Sequence, residues 1–597
     1  MAVISFGRGL AVSAALIAGS VGPLVAQERG LERAPLWQAA ASSSISGGED
    51  ALQRVPGVGT APAAAAEAEA IARKLAGQTG DVAAAYAARG HAPIWLAASD
   101  AAAARVTALL SALAEAPSHA LPADRYDHAG LVAALSAAEA AGADMRADVE
   151  LRLTEAFLRY ARDVSSGVLE PNRIDRDIHH RPERPQPKAL LAGLLAADDA
   201  TAMIEALAPA HPDYDRLRGE LQGYLQLARS NAWAAELPKG SSLRLGDQGA
   251  RVETLRRRLI AVGDLTPASA TPSADPDGTR VAANHFLSDT PLPTATDPAV
   301  FDPALMDAVK RFQGRHGLNQ DGVVGPATRA ALNTGPAKRA RQIAVNLERL
   351  RWLNKDLGRR HVMVNLASFD VVLMEDGAAI YRSRTVIGKN RHATPEFSDE
   401  MEYMVINPTW HVPRSIATKE ILPKLQADPT YLSRKGMRIE GADLPAEEID
   451  WAFVTPSTFP GRIKQRPGSG NALGKVKFMF PNKWSIYLHD TPHKSLFKRD
   501  RRAYSHGCVR VQEPFDFAYA LLAPQVDDPR AFFHGILRRG RERYVNLDRH
   551  VPVHITYRTA WVDETGADQF RGDVYGRDAK VYAALARAGL DFPADID

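Results

Sequence analysis

The hydrophobic period of this chain changes near Arg341, and that change restricts what it can fold into. Upstream, apolar residues recur at the three-and-four spacing of a helix face. RVTALLSALAEA sets Val106, Leu109, Leu110 and Leu113 on one side, and LRLTEAFLRYARDV aligns Leu153, Phe157, Tyr160 and Val164. Gly167 and Pro171 close that second helix. Downstream of one further helix, RQIAVNLERLRWL, the period becomes two. HVMVNL and VVLM alternate, Glu375-Asp376-Gly377 supplies a hairpin turn, and AAIYRSRTVIG returns. YMVINP, KVKFMF, KWSIYLHD and VPVHITYRTAWV add strands, and a helix opens near Pro514. Helical runs followed by strand runs predict a multidomain α+β chain, because 597 residues exceed the ~250–300 that one core usually serves.

Composition shifts mark the boundaries. Residues 1–26 join Arg8 to the apolar run LAVSAALIAGSVGPLVA and end in small residues, the pattern of an export signal cleaved after Ala26. Left uncleaved, the same run approaches the ~18 apolar residues of a bilayer span and would tether the chain to a membrane. Residues 27–69, rich in Ala, Ser, Gly and Pro, read as a flexible linker. A helical domain over 70–237 follows, and its His179-His180 pair, set among Arg and Pro, is expected in solvated loop. Residues 241–334 form a small three-helix unit, with Val252, Leu255 and Leu259 on one face of VETLRRRL. Leu305, Ala308, Val309 and Phe312 share a face of PALMDAVKRFQ, and Pro326 opens PATRAAL. A Pro, Ala, Thr and Asp-rich insertion, 266–298, interrupts the unit. The mainly antiparallel β domain occupies 341–597, and its stretch 413–467 is too long for a plain connection, so it is predicted to be a lid.

Net charge is only +3, with no basic-aromatic array, so nothing points to nucleic acid. More telling is Cys508, the single cysteine. It cannot form an internal disulfide, and an unpaired thiol in an exported chain is a liability unless it is used. The flanking Ser505-His506-Gly507-Cys508-Val509-Arg510 is poor core composition. A sulfur nucleophile needs a base and donors for the oxyanion it generates. In KWSIYLHD, alternation turns Trp484, Ile486 and Leu488 one way and Ser485, Tyr487 and His489 the other. With the first set in the core, Tyr487 and His489 face a site together. His489 as base and Cys508 as nucleophile are expected to form a thiolate–imidazolium pair, with the Gly507 and Cys508 amides as oxyanion hole. His506 is assigned to shaping the turn, and an exchange of roles between the two histidines stays open. Arg510, Tyr487 and Ser505 are candidate substrate contacts, Arg510 because guanidinium matches carboxylates bidentately. Trp410 is a candidate pocket wall.

His489 and Ser505-His506-Gly507-Cys508-Val509-Arg510, at this spacing, resemble the signature of the L,D-transpeptidase family, the YkuD-like domain. INPTWHVP (406–413), QRPGSGNALGKVKFMFPN (465–482), YLHDTP (487–492) and VPVHITYRTAWVD (551–563) resemble its large YcbB-type branch. The helical domain, with PIW at Trp95 and LTEAFLRYARDVSSGVLEP, is similar to the scaffold domain of that branch. LRLGDQGARVETLRRRL, AVKRFQGRHGL and DGVVGPATRAALN resemble a peptidoglycan-binding domain, from which the 266–298 insertion departs; a generic three-helix spacer is the alternative. The resemblance implies a periplasmic cell-wall enzyme acting on peptidoglycan. Cys508 would attack the third stem residue of a tetrapeptide donor and expel D-Ala. A neighbouring stem's side-chain amine would resolve the thioester into a 3→3 cross-link. The resemblance also implies no metal or organic cofactor, and carbapenems acylating the same sulfur.

Two rival readings differ in class. His489 and His493, with His506 and Cys508, would supply four ligands to a zinc peptidoglycan hydrolase, against which His489 ends a strand and Pro492 interrupts. A non-catalytic wall-binding protein is the other, against which an intact His489 and Cys508 stand. Water or another amine as acceptor would turn the same chemistry to carboxypeptidase or exchange reactions.

Overall fold

The computed structural model describes residues 61–230, 233, 236–266 and 297–592. The export signal, most of the predicted linker and the bulk of the 266–298 insertion lie outside the described residues. Among the described residues no helix is long and apolar enough to cross a membrane.

The helical half is built on Ala143–Ser166, whose predicted face is its buried face: Leu153, Phe157 and Val164 are fully buried and Tyr160 nearly so. Gly167, at φ 88°, ends it where the sequence indicates. Helix Ala61–Leu75 starts inside the stretch read as linker, a correction to that boundary. Its Ala-rich run is a good helix former, and Ala70 and Ile71 are buried in the domain core. Glu150 locks the PIW segment onto the long helix. Its buried carboxylate accepts the amides of Ile94, Trp95 and Leu96, the last at 2.9 Å, and the Tyr86 hydroxyl at 2.7 Å.

Helices Ala250–Ala261, Pro303–Arg315 and Pro326–Leu332 form the small unit, and every residue assigned to its two apolar faces is buried. Asp302 caps the second helix through the Leu305 amide at 2.7 Å and pairs with Arg256 at 2.6 Å. Arg315 and the His316 ring carry the unit onto the β half, pairing with Asp568 and stacking 5.6 Å from Phe570.

The β half consists of β1 (Arg360–Asn365), β2 (Asp370–Glu375), β3 (Ala378–Gly388), β4 (Phe397–Ile406), β5 (Trp410–His411), β6 (Met437–Glu440), β7 (Arg462–Gln465), β8 (Val476–Met479), β9 (Leu488–His489), β10 (Ala503–Ser505), β11 (Val509–Val511), β12 (Arg543–Thr556), β13 (Ala560–Val562) and β14 (Asp568–Phe570). One sheet runs β10-β3-β11-β9-β8-β4-β12-β1-β2, and β3 also pairs with β2. The sheet therefore closes on itself between β2 and β3, leaving β10 as the strand with a single partner. Pairing is antiparallel except β1–β12, β9–β11 and β3–β10. Val362, Val364, Val371, Leu373, Met404, Phe478, Leu488 and Val509 fill the core, all fully buried.

The predicted lid is a folded element. β5, β7 and β6 make a small sheet, and Ile421, Leu425, Leu432, Trp451 and Ile463 form a core of its own. The scaffold-side loop does not stay in solvent as His179-His180 implied. Ile178 bridges to Glu396, His179 lies on the Trp484 ring at 4.4 Å, and His180 is 7% exposed. The partner that buries the pair is remote in sequence, so composition alone gave no sign of it. Beneath that contact Arg577 and Glu396, each 1% exposed, pair at 2.8 Å.

Candidate active site

β8, β9 and β11 carry the site. Lys477 pairs with His489, and His489 with Arg510, in one row across the sheet. Moving one side-chain repeat along the register puts Tyr487 beside Cys508 on the same face. The other face, Phe478, Leu488 and Val509, is in the core. The alternation read from KWSIYLHD thus holds although β9 is two residues long. The rest of the expected strand is a turn. Ser485 has φ 55°, and Asn482 Oδ1 accepts the amides of Trp484 and Ile486, each at 3.1 Å.

Gly507 sits at φ 120°, where L side chains are strained, and a Cβ there would meet Ile486 Cδ1 at 3.1 Å. Ser505 Oγ accepts from the Gly507 amide at 3.1 Å and donates to the Cys508 carbonyl at 2.5 Å. Ser505, 2% exposed, therefore braces the turn. The Gly507 amide is committed inside that turn, so of the expected pair of oxyanion donors the Cys508 amide is the one left. Tyr487 is the side chain next to the thiol on that face.

His489 is buried, with Nδ1 2.5 Å from the Asp490 carbonyl. Asp490 is itself fixed. Its carboxylate accepts the Lys475 amide at 2.8 Å and the Thr491 amide at 2.7 Å, and meets Lys494 at 2.9 Å. A Cβ on Gly474 would lie 2.3 Å from that carboxylate, which explains the glycine in NALGKV. The half-buried thiol sits 3.6 Å from the Ser485 carbonyl.

Electrostatics favour neutral forms of both groups at rest. Burial pushes the Cys508 thiol up to about 11, and burial with the nearby Arg510 charge lowers His489 to about 3. The expected thiolate–imidazolium pair is thus not the favoured resting state, because desolvation of both partners outweighs the local hydrogen bonds. Alkylation of the free protein by iodoacetamide, which needs the thiolate, is expected to climb about tenfold per pH unit towards pH 11. A rate already at its plateau near neutral pH would contradict this.

His506 faces the lid rather than the thiol. Its Nε2 lies 2.5 Å from Glu420 Oε1 and 3.2 Å from Lys389 Nζ, and its ring 5.1 Å from that of His392. Trp410 lies on β5 and packs on the lid's own core. Among the described residues no three of His, Cys, Asp or Glu are grouped as metal ligands, so the rival set of His489, His493, His506 and Cys508 is not drawn together.

Three residues escaped the sequence reading: Lys477, Glu420 and Thr394. Thr394, fully buried, donates to the Gly507 carbonyl at 2.7 Å and accepts the Gly388 amide at 3.0 Å. Its carbonyl accepts from Arg577 at 3.0 Å. A lone Thr in RHATPEF carries no sequence signal for this role. Thr394→Val leaves two buried backbone groups unpaired and lets the turn shift, so acylation is expected to slow by about tenfold to a hundredfold. Thr394→Ser, which keeps the hydroxyl, should restore most of it; equal rates for the two variants would refute the strut.

Cys508 and His489 share one face of the closed sheet, and Glu420 of the 413–467 segment reaches His506 beside them, which makes this a candidate cysteine–histidine site. Three family profiles match the chain. Residues 80–221 match a scaffold domain, 284–332 a "Putative peptidoglycan binding domain", and 359–533 an L,D-transpeptidase catalytic domain of the YkuD type. A Haemophilus influenzae protein named "Putative L,D-transpeptidase" is 32% identical over 246 residues, covering 41% of this chain and 49% of that protein. The chain thus spans about half the length of this curated relative. An L,D-transpeptidase from Xylanimonas cellulosilytica aligns at 15% identity over 54% of this chain and 100% of its own, with a TM-score of 0.16. One from Stackebrandtia nassauensis aligns at 14% over 54% and 97%, with a TM-score of 0.18. Scores this low do not bear on the fold. Residues 359–533 thus match an L,D-transpeptidase catalytic domain of the YkuD type, downstream of stretches that match a scaffold domain and a "Putative peptidoglycan binding domain".

Proposed function

We propose that this chain is a peptidoglycan L,D-transpeptidase that forms 3→3 cross-links through a thioester on Cys508, acting outside the cytoplasm in the periplasm. The observation that carries the reading is the shared face of His489 and Arg510, on β9 and β11, with Tyr487 and Cys508, the residues just before those strands. Sγ attacks the carbonyl carbon of the third stem residue as its proton passes to the imidazole of His489. A neutral imidazole, favoured by burial, is the form that can accept it. The Cys508 amide and the Tyr487 hydroxyl take the oxyanion. The tetrahedral intermediate then collapses, the C–N bond to D-Ala breaks, and the proton leaves on the departing amine. The side-chain amine of a second stem attacks the thioester, an amide forms, and the thiol is released with its proton. Carbapenems would acylate the same sulfur.

Incubation with disaccharide-tetrapeptide tests this. Dimers with the mass of two donors less one D-Ala are expected from the wild type and absent with Cys508→Ala. Dimers made at wild-type rate by Cys508→Ala would overturn the reading.

A further inference from the structure

Lys477 and Arg510 are two half-buried cations that flank the same thiol without a counter-ion. They are the ends of one row across β8, β9 and β11, with His489 between them. Among the described residues neither makes a hydrogen bond to a side chain or an ion pair, and Arg510 Nε is a buried donor without a partner. Half-buried cations ordinarily meet a carboxylate or a hydrogen-bond acceptor, because stripping water from an unmatched charge is unfavourable. The nearest acid acting on Lys477 is Glu542, but its Oε2 accepts the Thr409 amide at 2.6 Å and its carboxylate is bonded to Tyr544 as well. Lys477 Nζ also lies 5.9 Å from the centre of the Tyr487 ring. Burial favours the neutral forms of His489 and the thiol, so neither supplies the counter-charge that Lys477 and Arg510 lack.

We propose that Lys477 and Arg510 form a carboxylate subsite that makes the enzyme require a free carboxylate next to the scissile bond of its donor. The inference rests on the transpeptidase reading and adds its specificity rule: the stem must be a carboxylate-bearing peptide, and an amidated one is refused. A tetrapeptide stem offers two such groups near the reacting carbonyl, the terminal D-Ala carboxylate on the leaving side and the free carboxylate of the third residue. Arg510 supplies a planar fork and Lys477 a point charge, so together they clamp one carboxylate from two directions. Lys477 is assigned a substrate-positioning role that nothing in the SHGCVR motif reveals, because it lies on a different strand.

The test uses the full chain with Cys508→Ala, so that binding is read without turnover, and three synthetic stems: all carboxylates free, terminal D-Ala amidated, and third residue amidated. Calorimetry is expected to find the free stem bound about tenfold to a hundredfold more tightly than one of the amides, and that amide identifies the carboxylate. Adding Lys477→Met should erase the difference, whereas Lys477→Arg should keep most of it, which separates loss of charge from loss of fold. Equal affinity for all three stems, or discrimination that survives Lys477→Met, overturns the subsite. Turnover of the same stems by wild type is a separate readout. Discrimination without turnover would sink the transpeptidase reading and leave the subsite standing, and turnover indifferent to amidation would do the reverse.

Discussion

His489→Asn is expected to slow single-turnover acylation by about a hundredfold to ten-thousandfold while leaving the fold intact. Asparagine is close to imidazole in size and its amide can still donate to the Asp490 carbonyl, which now holds Nδ1 at 2.5 Å. What it lacks is a basic nitrogen. Because burial holds the thiol near 11, the resting sulfur is protonated and depends on a base at the moment of attack. The same argument fixes the pH profile. A base lowered to about 3 stays neutral well into acid, and a thiol near 11 stays protonated well into alkali. Neither group then bends kcat/KM between about pH 5 and about pH 9. A profile rising with an ordinary histidine value near pH 6.5, or an Asn variant as fast as wild type, would assign the base elsewhere. His506 would be the next candidate, and its 2.5 Å contact with Glu420 makes it separable by Glu420→Gln.

The second large effect concerns stability. Glu396→Gln is expected to destabilise the junction between the helical and β halves by about 3–5 kcal/mol, the range for breaking a buried ion pair from one side. Glu396 and Arg577 are each 1% exposed, and Arg577 also stacks over the Tyr575 ring at 4.8 Å. Arg577 and Arg349 oppose the rise that burial imposes on the Glu396 carboxyl. Removing that carboxyl leaves Arg577 buried against Thr394, one hydrogen bond from the nucleophile turn. Acylation should therefore slow in the same variant. Lys580→Met is the control, since Lys580 is 54% exposed where it meets Asp175 and a pair of that kind contributes at most ~1 kcal/mol. Urea unfolding followed by tryptophan fluorescence reads both; equal losses for the two variants would contradict the assignment.

The parts of the fold legible in the sequence are those set by local period. The helix faces at Leu153 and Phe157, the three-helix unit and the β half all follow from spacing that the chain displays over a dozen residues. The site was legible for a related reason. A sole cysteine beside Gly507, with His489 and Tyr487 on one side of an alternation, announces itself in composition and period. What stayed hidden depends on pairing across long separations. Lys477 meets His489 only through the β8–β9 register, and Thr394 meets Gly507 only because β3 ends beside β10. Burial of both groups stays hidden for the same reason, since spacing does not reveal how far each is desolvated. His179-His180 reads as polar loop until Trp484 and Glu396 are brought to it.

The most direct measurement is a rapid quench of the wild-type protein with disaccharide-tetrapeptide, followed by proteolysis and mass mapping of the trapped adduct. The account predicts a single acyl group, with the mass of the donor less D-Ala, on the peptide that contains Cys508, labile to hydroxylamine as a thioester is. Dimer formation at full rate with no acyl group on that peptide, or with the group on another side chain, would contradict it.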